Sequence, residues 1–467
     1  MTDFVESSGE IMFKRKAYDM LLEWKRLSNG TTAVLVEGAR RVGKTTLVQE
    51  FARNEYADSI YIDFSLAPRD VLDLFRDERD DIDTFLRMLQ LNYGKRLKPR
   101  DAVIIFDEVQ RFPIAREYVK HLVADGRFDY IETGSLVSLR RNVADIVIPS
   151  EEDRIKLDPL DFEEYLWASG HEVLADGIRD ARKALRPLPE AVHRKATRLF
   201  NEYMLVGGMP QAVEAFVEDG AFDRCDRVKR RTLDLYLEDI AKFGGSEARR
   251  ARAVFLAIPG QLSASSKRFK FSALGKGTRY DTYEPALDWL TDAHVVNACI
   301  DCTDPSVGLR LTCNPASCKC YMADTGLLVS LAFADGPESG RVYRDLEFGK
   351  VSVNRGMLVE NVVAQQLHAR GYELFYHTWN EPPTEPGGRE RPREIDFLVS
   401  KGYSDAGGKL RICPIEVKSS KSYSTVSLDD FARRWGTRVG DQVVLHPKQL
   451  SVQGKRAYLP LYMSFCV

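Results

Sequence analysis

The chain has no apolar run of the length that crosses a bilayer, about 20 residues. Its first residues, MTDFVESSGEIMFKRK, lack the apolar segment of a secretory leader. A cytoplasmic protein with no membrane partner is expected. Neither sign of charge dominates, because 67 Lys and Arg stand against 69 Asp and Glu. That balance excludes a partner gripped by the whole surface and leaves only a local patch for nucleic acid. Cysteine is sparse: eight in 467 residues make no disulfide scaffold. Five of them cluster, at Cys299, Cys302, Cys313, Cys318 and Cys320. Cys299 and Cys302 have zinc-knuckle spacing, but the other spacings fit no zinc module and no histidine lies between them. Reduced cysteines in a β-rich segment are expected. What is present is ordinary for a globular protein, 44% hydrophobic and 29% charged. The length suggests roughly three domains.

The first informative stretch is TTAVLVEGARRVGKTTLVQEFA. Residues 33–36 read as a buried parallel strand, and a helix follows the glycine loop. Gly38, Ala39, Arg40, Arg41, Val42, Gly43, Lys44 and Thr45, with Thr46 behind them, satisfy G-x-x-x-x-G-K-[ST]. The glycines admit phosphate oxygens to backbone N–H groups, Lys44 reaches the β and γ phosphates, and Thr45 ligates Mg²⁺. The positive end of the helix points at the same anion. ATP and Mg²⁺ are therefore the expected cofactors. DAVIIFDEVQ is a second apolar strand that ends in two carboxylates. Asp107 suits the Mg²⁺ shell, and Glu108 is placed to orient and deprotonate a water. A third strand, YIETGSL, ends in Thr133, Gly134 and Ser135, small polar groups suited to the γ-phosphate or the attacking water. These ends place a nucleotide at the C-terminal edge of a parallel sheet.

The strings FKRKAYDMLLEWKR, VEGARRVGKTTLVQEFARNEY, IYIDFS, IIFDEVQRFPIAREYVKHLVADGRFDYIETGS and LDPLDFEEYLWASG resemble an AAA+-like bacterial and archaeal P-loop ATPase family. Members of that family carry a C-terminal domain of unknown function. The resemblance runs from about Phe13 to about Phe431. It implies Mg-ATP binding, a helical lid, a winged-helix-like segment and a nuclease-like tail. It also implies a homo-oligomer in which a neighbouring subunit lends an arginine, for which Arg140, Arg141 and Arg154 are the candidates. Four segments are expected: a P-loop ATPase domain over 1–160, a lid over 161–245, a winged-helix-like domain over 246–310 and a nuclease-like domain over 311–467.

DFEEYLWASG, LFNEYMLVGGMPQAV and RRTLDLYLEDIAKF have helical apolar spacing. The Gly207-Gly208-Met209-Pro210 break resembles the family's lid motif. Residues 249–279 hold eight Lys or Arg and no Asp or Glu. A helix running into a strand follows, as in a small winged helix. Such a stripe fits nucleic acid, DNA ahead of RNA, a subunit interface or a solvated face equally well.

The C-terminal third carries charges where apolar residues belong. RGMLVENVVAQQLHAR is a helix with Glu360 among its apolar positions, REIDFLVS a strand with Asp396 at its centre, and RICPIEVKSS a strand with Glu416 and Lys418. Residues two apart in a strand share a face, so Glu416 and Lys418 lie side by side. Glu360, Asp396, Glu416 and Lys418 resemble the PD-(D/E)-x-K nuclease constellation, with Ile395 where the proline would stand. Asp396 and Glu416 would then hold a metal, and Lys418 would position water or steady the phosphate. The other reading is a buried ion-pair network in a fold that no longer cuts. The expected fold class is thus α/β, with a P-loop AAA+-like domain, a helical lid, a winged-helix-like segment and a restriction-endonuclease-like domain. Three activities follow from it: an ATPase coupled to a nuclease-like domain, a nucleotide-dependent switch or scaffold, and a DNA-stimulated translocase.

Overall fold

The structure is a computed structural model that describes residues 13–78, 80–134, 151–242, 245–333, 343, 355–383, 388–402 and 410–467. The chain forms two compact units, Met1–Asp158 with Asp292–His294, and Pro159–Thr291 with Val295–Val467.

The first unit is built on a five-stranded sheet. Its strands are β1 (Ala33–Glu37), β2 (Asp58–Asp63), β3 (Ala102–Asp107), β4 (Asp129–Gly134) and β5 (Glu152–Lys156). They lie in the order β2-β3-β4-β1-β5 and are all parallel. Helices α1 (Lys16–Ser28), α2 (Lys44–Glu55), α3 (Arg69–Asp77), α4 (Ile82–Asn92) and α5 (Pro113–Asp125) connect and cover them. Every residue of β3 and β4 is buried, because a parallel sheet is covered on both faces and its strands read as unbroken apolar runs. Leu35, Ile62, Ile104 and Phe106 pack on Phe75, Phe85 and Tyr118 of α3, α4 and α5. The alternate residues Val34, Val36, Ile105 and Ile131 face the other way, toward the side of α2. Pro113 begins α5, where its missing N–H has no partner to lose, and Gly126 ends it at φ 73°.

Three carboxylates break this apolar pattern, Asp107 in β3 and Asp129 and Glu132 in β4, and Glu132 is the most deeply buried of them. Glu132 in β4 is fully buried, with Arg116 of α5 at 3.8 Å. Arg116 gives its bidentate contact to Glu152 instead, at 2.8 and 2.9 Å. Burial, then the charge of Glu152, pushes the Glu132 carboxyl up to about 8, although Arg116 and Arg154 oppose the rise. The folded chain thus holds a proton that the unfolded chain releases above the ordinary value of 4.5. This contribution is present below that value and is lost as pH rises through about 8. Glu132→Gln is expected to flatten the loss of stability between pH 6 and pH 9, with a gain of about 1–3 kcal/mol at the upper end. Thermal melts across that range check it, and an unchanged slope contradicts it.

The second unit contains one eight-stranded sheet. Its strands are β6 (Val296–Cys302), β7 (Cys313–Met322), β8 (Leu374–Glu381), β9 (Arg391–Gly402), β10 (Leu410–Val417), β11 (Gln442–His446), β12 (Ser451–Gln453) and β13 (Arg456–Pro460). The order is β12-β13-β11-β10-β9-β8-β6-β7. Its helices are α6 (Phe162–Ala168), α7 (Glu172–Ala184), α8 (Glu190–Val206), α9 (Pro210–Asp219), α10 (Phe222–Lys242), α11 (Gly245–Ser263), α12 (Tyr280–Asp292), α13 (Thr325–Ala332), α14 (Arg355–Ala369) and α15 (Val426–Trp435). The segments 161–245, 246–310 and 311–467, expected as separate domains, supply parts of this one unit. The sheet crosses the expected boundary at 310, because β6 pairs with β7 on one edge and with β8 on the other.

The glycine pair after α8 has a steric cause. Gly207 has φ 85°, and a Cβ there would stand 2.3 Å from an Asp324 carboxylate oxygen. A Cβ at Gly208 would stand 2.1 Å from the Leu160 carbonyl oxygen. The Gly208 N–H donates to Asp324 at 2.5 Å, and Asp324 also caps α13 through the Leu327 N–H. Gln365 and Gln366 of α14 donate to the Tyr203 hydroxyl at 2.9 and 3.0 Å, and Tyr203 donates to Leu160. Buried polar groups that are all paired in this way lock the helices to one another.

Candidate functional site

The loop between β1 and α2 leaves its backbone open to an anion. Gly43 has φ 92°, which glycine adopts without strain. A Cβ at Gly38 would meet the Leu157 carbonyl oxygen at 2.2 Å. Arg40 and Arg41 are exposed, Ala39 and Val42 are buried, and Thr46 follows Thr45 on the first turn of α2. The buried Lys44 ammonium donates to the Gly38 and Ala39 carbonyls at 3.0 and 2.9 Å. Burial lowers its pKa, against the raising effect of Glu108 and Asp107. Arg15 clamps the loop, donating to the Val42 carbonyl at 2.9 Å and to the Asp158 carbonyl at 2.5 Å.

The ends of three strands converge beside this loop. The Thr45 hydroxyl lies 3.1 and 3.0 Å from the two Asp107 oxygens. Thr133 and Tyr61 donate to the same carboxylate. Register explains the meeting: Phe106 pairs with Glu132, which brings Asp107 and Thr133 to one level, and Asp63 of β2 pairs with Asp107. Glu108 follows in the left-handed region at φ 54°. That conformation is costly for a side-chain residue and is typical of functional turns. Its N–H donates to Thr133 at 3.3 Å, and its carboxylate accepts from Gln110. A threonine hydroxyl beside a carboxylate is a hard oxygen set that fits Mg²⁺, and the open glycine loop fits phosphate. Arg154 is 40% exposed in β5 and pairs with Glu152. Ser135, Arg140 and Arg141 lie outside the described residues.

The second constellation does not form as the sequence pattern suggests. Glu360 of α14 and Asp396 of β9 lie on one face of the eight-stranded sheet, and Glu416 lies on the other. Ile412, two pleats before Glu416, packs with Leu428 and Phe431 of α15. The charges that act most strongly on Glu416 are those of Lys418, Arg456 and Asp429. Those that act most strongly on Asp396 are Glu360, Lys319, Glu394 and Lys267. The cause is a bulge. Ile395 and Leu398, three residues apart, both join the α15 core, and the β8–β9 register slips between Phe375 and His377. The extra residue turns Asp396 to the α14 side. Lys418 pairs with Glu416 at 2.8 Å, and the Val417 N–H donates to Asp396 at 2.8 Å. The expected metal pair, Asp396 and Glu416, is therefore not brought together.

A different cation occupies the Glu360 face. Lys319 of β7 is fully buried, 3.1 Å from Glu360, 2.6 Å from Glu394 and 3.9 Å from Asp396. Lys267 and Tyr321 also donate to Glu360. Burial would lift the Glu360 carboxyl, but the charges of Lys319 and Lys267 outweigh it and hold it down at about 2. Burial, and next the charge of Glu360, pushes Asp396 up to about 7. Burial would lower Lys319, yet the three carboxylates hold its pKa well above the usual lysine value. An internal ammonium thus sits among the carboxylates. Among the described residues no group of three or more His, Cys, Asp or Glu is placed to hold a metal ion. The residues do not fit the nuclease metal, and no cleavage step follows from them. The cysteines are free, with Cys299, Cys302, Cys318 and Cys320 buried.

Comparison with known proteins decides the identity of the first unit. Residues 30–166 match the family described as AAA domain. This part of the chain is a P-loop AAA domain. Residues 197–338 match a domain of unknown function (DUF8612), and residues 355–463 match another (DUF4143). No curated protein matches the chain. Among solved structures, the Orc1 protein of Aeropyrum pernix in complex with DNA aligns at 12% identity, over 71% of this chain and 95% of that one, with a TM-score of 0.29. Cdc6p of Pyrobaculum aerophilum aligns at 13% identity, over 74% and 97%, with a TM-score of 0.29. A STAND ATPase with a tetratricopeptide sensor from Pyrococcus horikoshii aligns at 13% identity, over 76% and 48%, with a TM-score of 0.26. At such scores these likenesses carry no functional argument.

Sequence reasoning missed Arg15 and Tyr61 of the first unit, and Lys319, Glu394 and Tyr321 of the second unit. Lys319 had a signal. In CKCYM it is a lone charge in a buried strand, the same oddity that drew notice to Glu416. Lys267 was visible only as part of the basic stripe. Among the described residues two of the eight stripe residues have carboxylate partners, Arg250 with Glu247 and Lys267 with Glu360, and the other six are exposed. No helix among the described residues is long and apolar enough to cross a membrane.

Proposed function

We propose that this chain binds ATP at Gly38–Thr46 of its AAA domain, hydrolyses it, and uses its nuclease-like second unit without metal-dependent cleavage. The observation that supports hydrolysis most is the convergence of Thr45, Tyr61 and Thr133 on Asp107, with Glu108 next in the chain. A Mg²⁺ held by Thr45 and Asp107 would neutralise charge on the β and γ phosphates. Lys44 gives up its carbonyl partners for the phosphates, and the loop N–H groups orient them. Glu108 takes the proton of the attacking water. Asp107→Asn is expected to remove the Mg²⁺ dependence of nucleotide binding and to lower turnover at least about tenfold. Titration of a fluorescent ATP analogue with and without EDTA checks it. Equal Mg²⁺ dependence in variant and parent rules out Asp107 as the metal residue.

The nuclease-like reading of the second unit is kept only as fold. Lys319 neutralises Glu360 and Asp396, and Glu416 with Lys418 faces away from them. This favours a nucleotide-dependent switch over an ATP-linked nuclease. In that reading the homo-oligomer forms around ATP, and Arg154 is the described arginine available to a neighbour. The α11, α12 and β6–β7 segment is the winged-helix-like part, with the six exposed basic residues as its contact to DNA. DNA that accelerates phosphate release would turn the switch into a translocase or remodeller.

A further inference from the structure

The second unit holds a cleft of about 710 Å³ that neither the ATP site nor the Lys319 group explains. It opens where β10 and β11 end side by side, in parallel, with Val417 opposite Leu445. β13 runs parallel to β11 and adds Tyr458. Ligands of open α/β sheets bind outside the carboxyl ends of such strands. The volume falls in the range of about 300–1,000 Å³ that small-molecule sites occupy.

The lining states the chemistry. It contains Lys421 and Lys448 and no Asp or Glu. Both lysines are exposed, and neither has a carboxylate partner among the described residues. Two ammonium groups at one cleft, with Glu190 behind the lining Gln449 at 3.2 Å and outside the lining itself, fit an anion. Rings stand beside them. Tyr423 and Tyr458 are half-buried and flank His446, with ring centres 5.7 and 5.8 Å from it. His446 is fixed by both nitrogens, Nδ1 at 2.7 Å from the Tyr423 hydroxyl and Nε2 at 3.2 Å from the Gln449 carbonyl. Neither nitrogen is left for a metal. Lys448 lies 5.3 Å from the Tyr423 ring centre. Phosphate-seeking cations next to half-exposed aromatic faces are the combination that holds a nucleotide, with the base stacked and the phosphate paired.

We propose that this cleft binds nucleotide units, phosphate to Lys421 and Lys448 and base against Tyr423 or Tyr458, as free nucleotide or as part of an unpaired strand. The inference is independent of the ATP site. The test uses the full chain carrying Lys44→Ala, which disables the AAA domain as a second nucleotide site. Anisotropy of a fluorescein-labelled oligothymidylate is measured with and without adenosine monophosphate as competitor. The same is done with Lys421→Glu and Lys448→Glu added together, and separately with Ser451→Glu, which puts an anion at the exposed rim of the cleft. A charge reversal of Arg268 and Lys270 serves as the control for the basic stripe. Both cleft variants are expected to weaken binding at least about tenfold with an unchanged melting temperature, and the stripe variant much less. Competition by the monophosphate assigns the cleft to free nucleotides, and failure to compete assigns it to a strand. Unchanged affinity in both cleft variants, no binding by the starting protein, or loss only in the stripe variant overturns the proposal.

Discussion

Replacing Glu108 by glutamine is expected to lower ATP turnover by at least about 100-fold while ATP still binds. The amide keeps the size of the carboxylate and cannot take a proton from water. Glu108 is set by backbone, not by chance of rotamer. Its φ of 54° and the N–H bond to Thr133 fix it just beyond the end of β3. Lys44, Thr45 and Asp107 are untouched by the change, so the phosphate and metal contacts remain. Phosphate release and nucleotide titration on the same preparation separate the two effects. A variant that turns over at the parent rate removes Glu108 from the reaction. A variant that loses binding as well makes Glu108 a structural residue of the loop.

Lys319→Met is expected to cost about 3–5 kcal/mol of stability, the range for removing one partner of a buried ion group. The side chain is fully buried, and its ammonium reaches three carboxylates. Without it, Glu360 and Asp396 face each other with Lys267 as the nearest remaining cation. Asp396, already pushed up to about 7, then takes a proton more readily, so the variant loses more stability at pH 8 than at pH 6. The same substitution leaves three carboxylates without their internal cation. Added Mn²⁺ is expected to restore part of the melting temperature of the variant and none of that of the parent. Denaturant melts with and without Mn²⁺ measure both effects. A variant as stable as the parent contradicts the buried ion group. Cleavage of plasmid by the parent chain with Mn²⁺ contradicts the silent second unit.

The parts of this molecule that were legible in the sequence are local ones. The G-x-x-x-x-G-K-T stretch needs only eight consecutive residues, and the apolar runs before it and at 102–106 can hardly be anything but buried parallel strands. The structure has β1, α2 and β3 there. Tyr61 and Arg15 were not legible, because each reaches the site through tertiary contact from another element. In the second unit the failure has one mechanical cause. The resemblance to a nuclease constellation set Asp396 beside Glu416, and a single bulged residue between Ile395 and Leu398 sends them to opposite faces. A slip of one residue in a strand exchanges every face after it. The continuity of the sheet across position 310 was not legible for a related reason. Sheet pairing between β6 and β8 joins residues more than 70 positions apart, and no linker-like composition marks where one sheet continues through two segments.

The measurement that bears most directly on the proposed function is phosphate release from ATP with Mg²⁺ by the parent chain and by Lys44→Ala. Among the described residues Lys44 has no carboxylate at ion-pair distance, and it spends its charge on the Gly38 and Ala39 carbonyls, a position that phosphates can take over. Release by the parent that falls at least about 100-fold in the variant is the expected result. No release by the parent, or equal release by both, would contradict an ATPase at this loop.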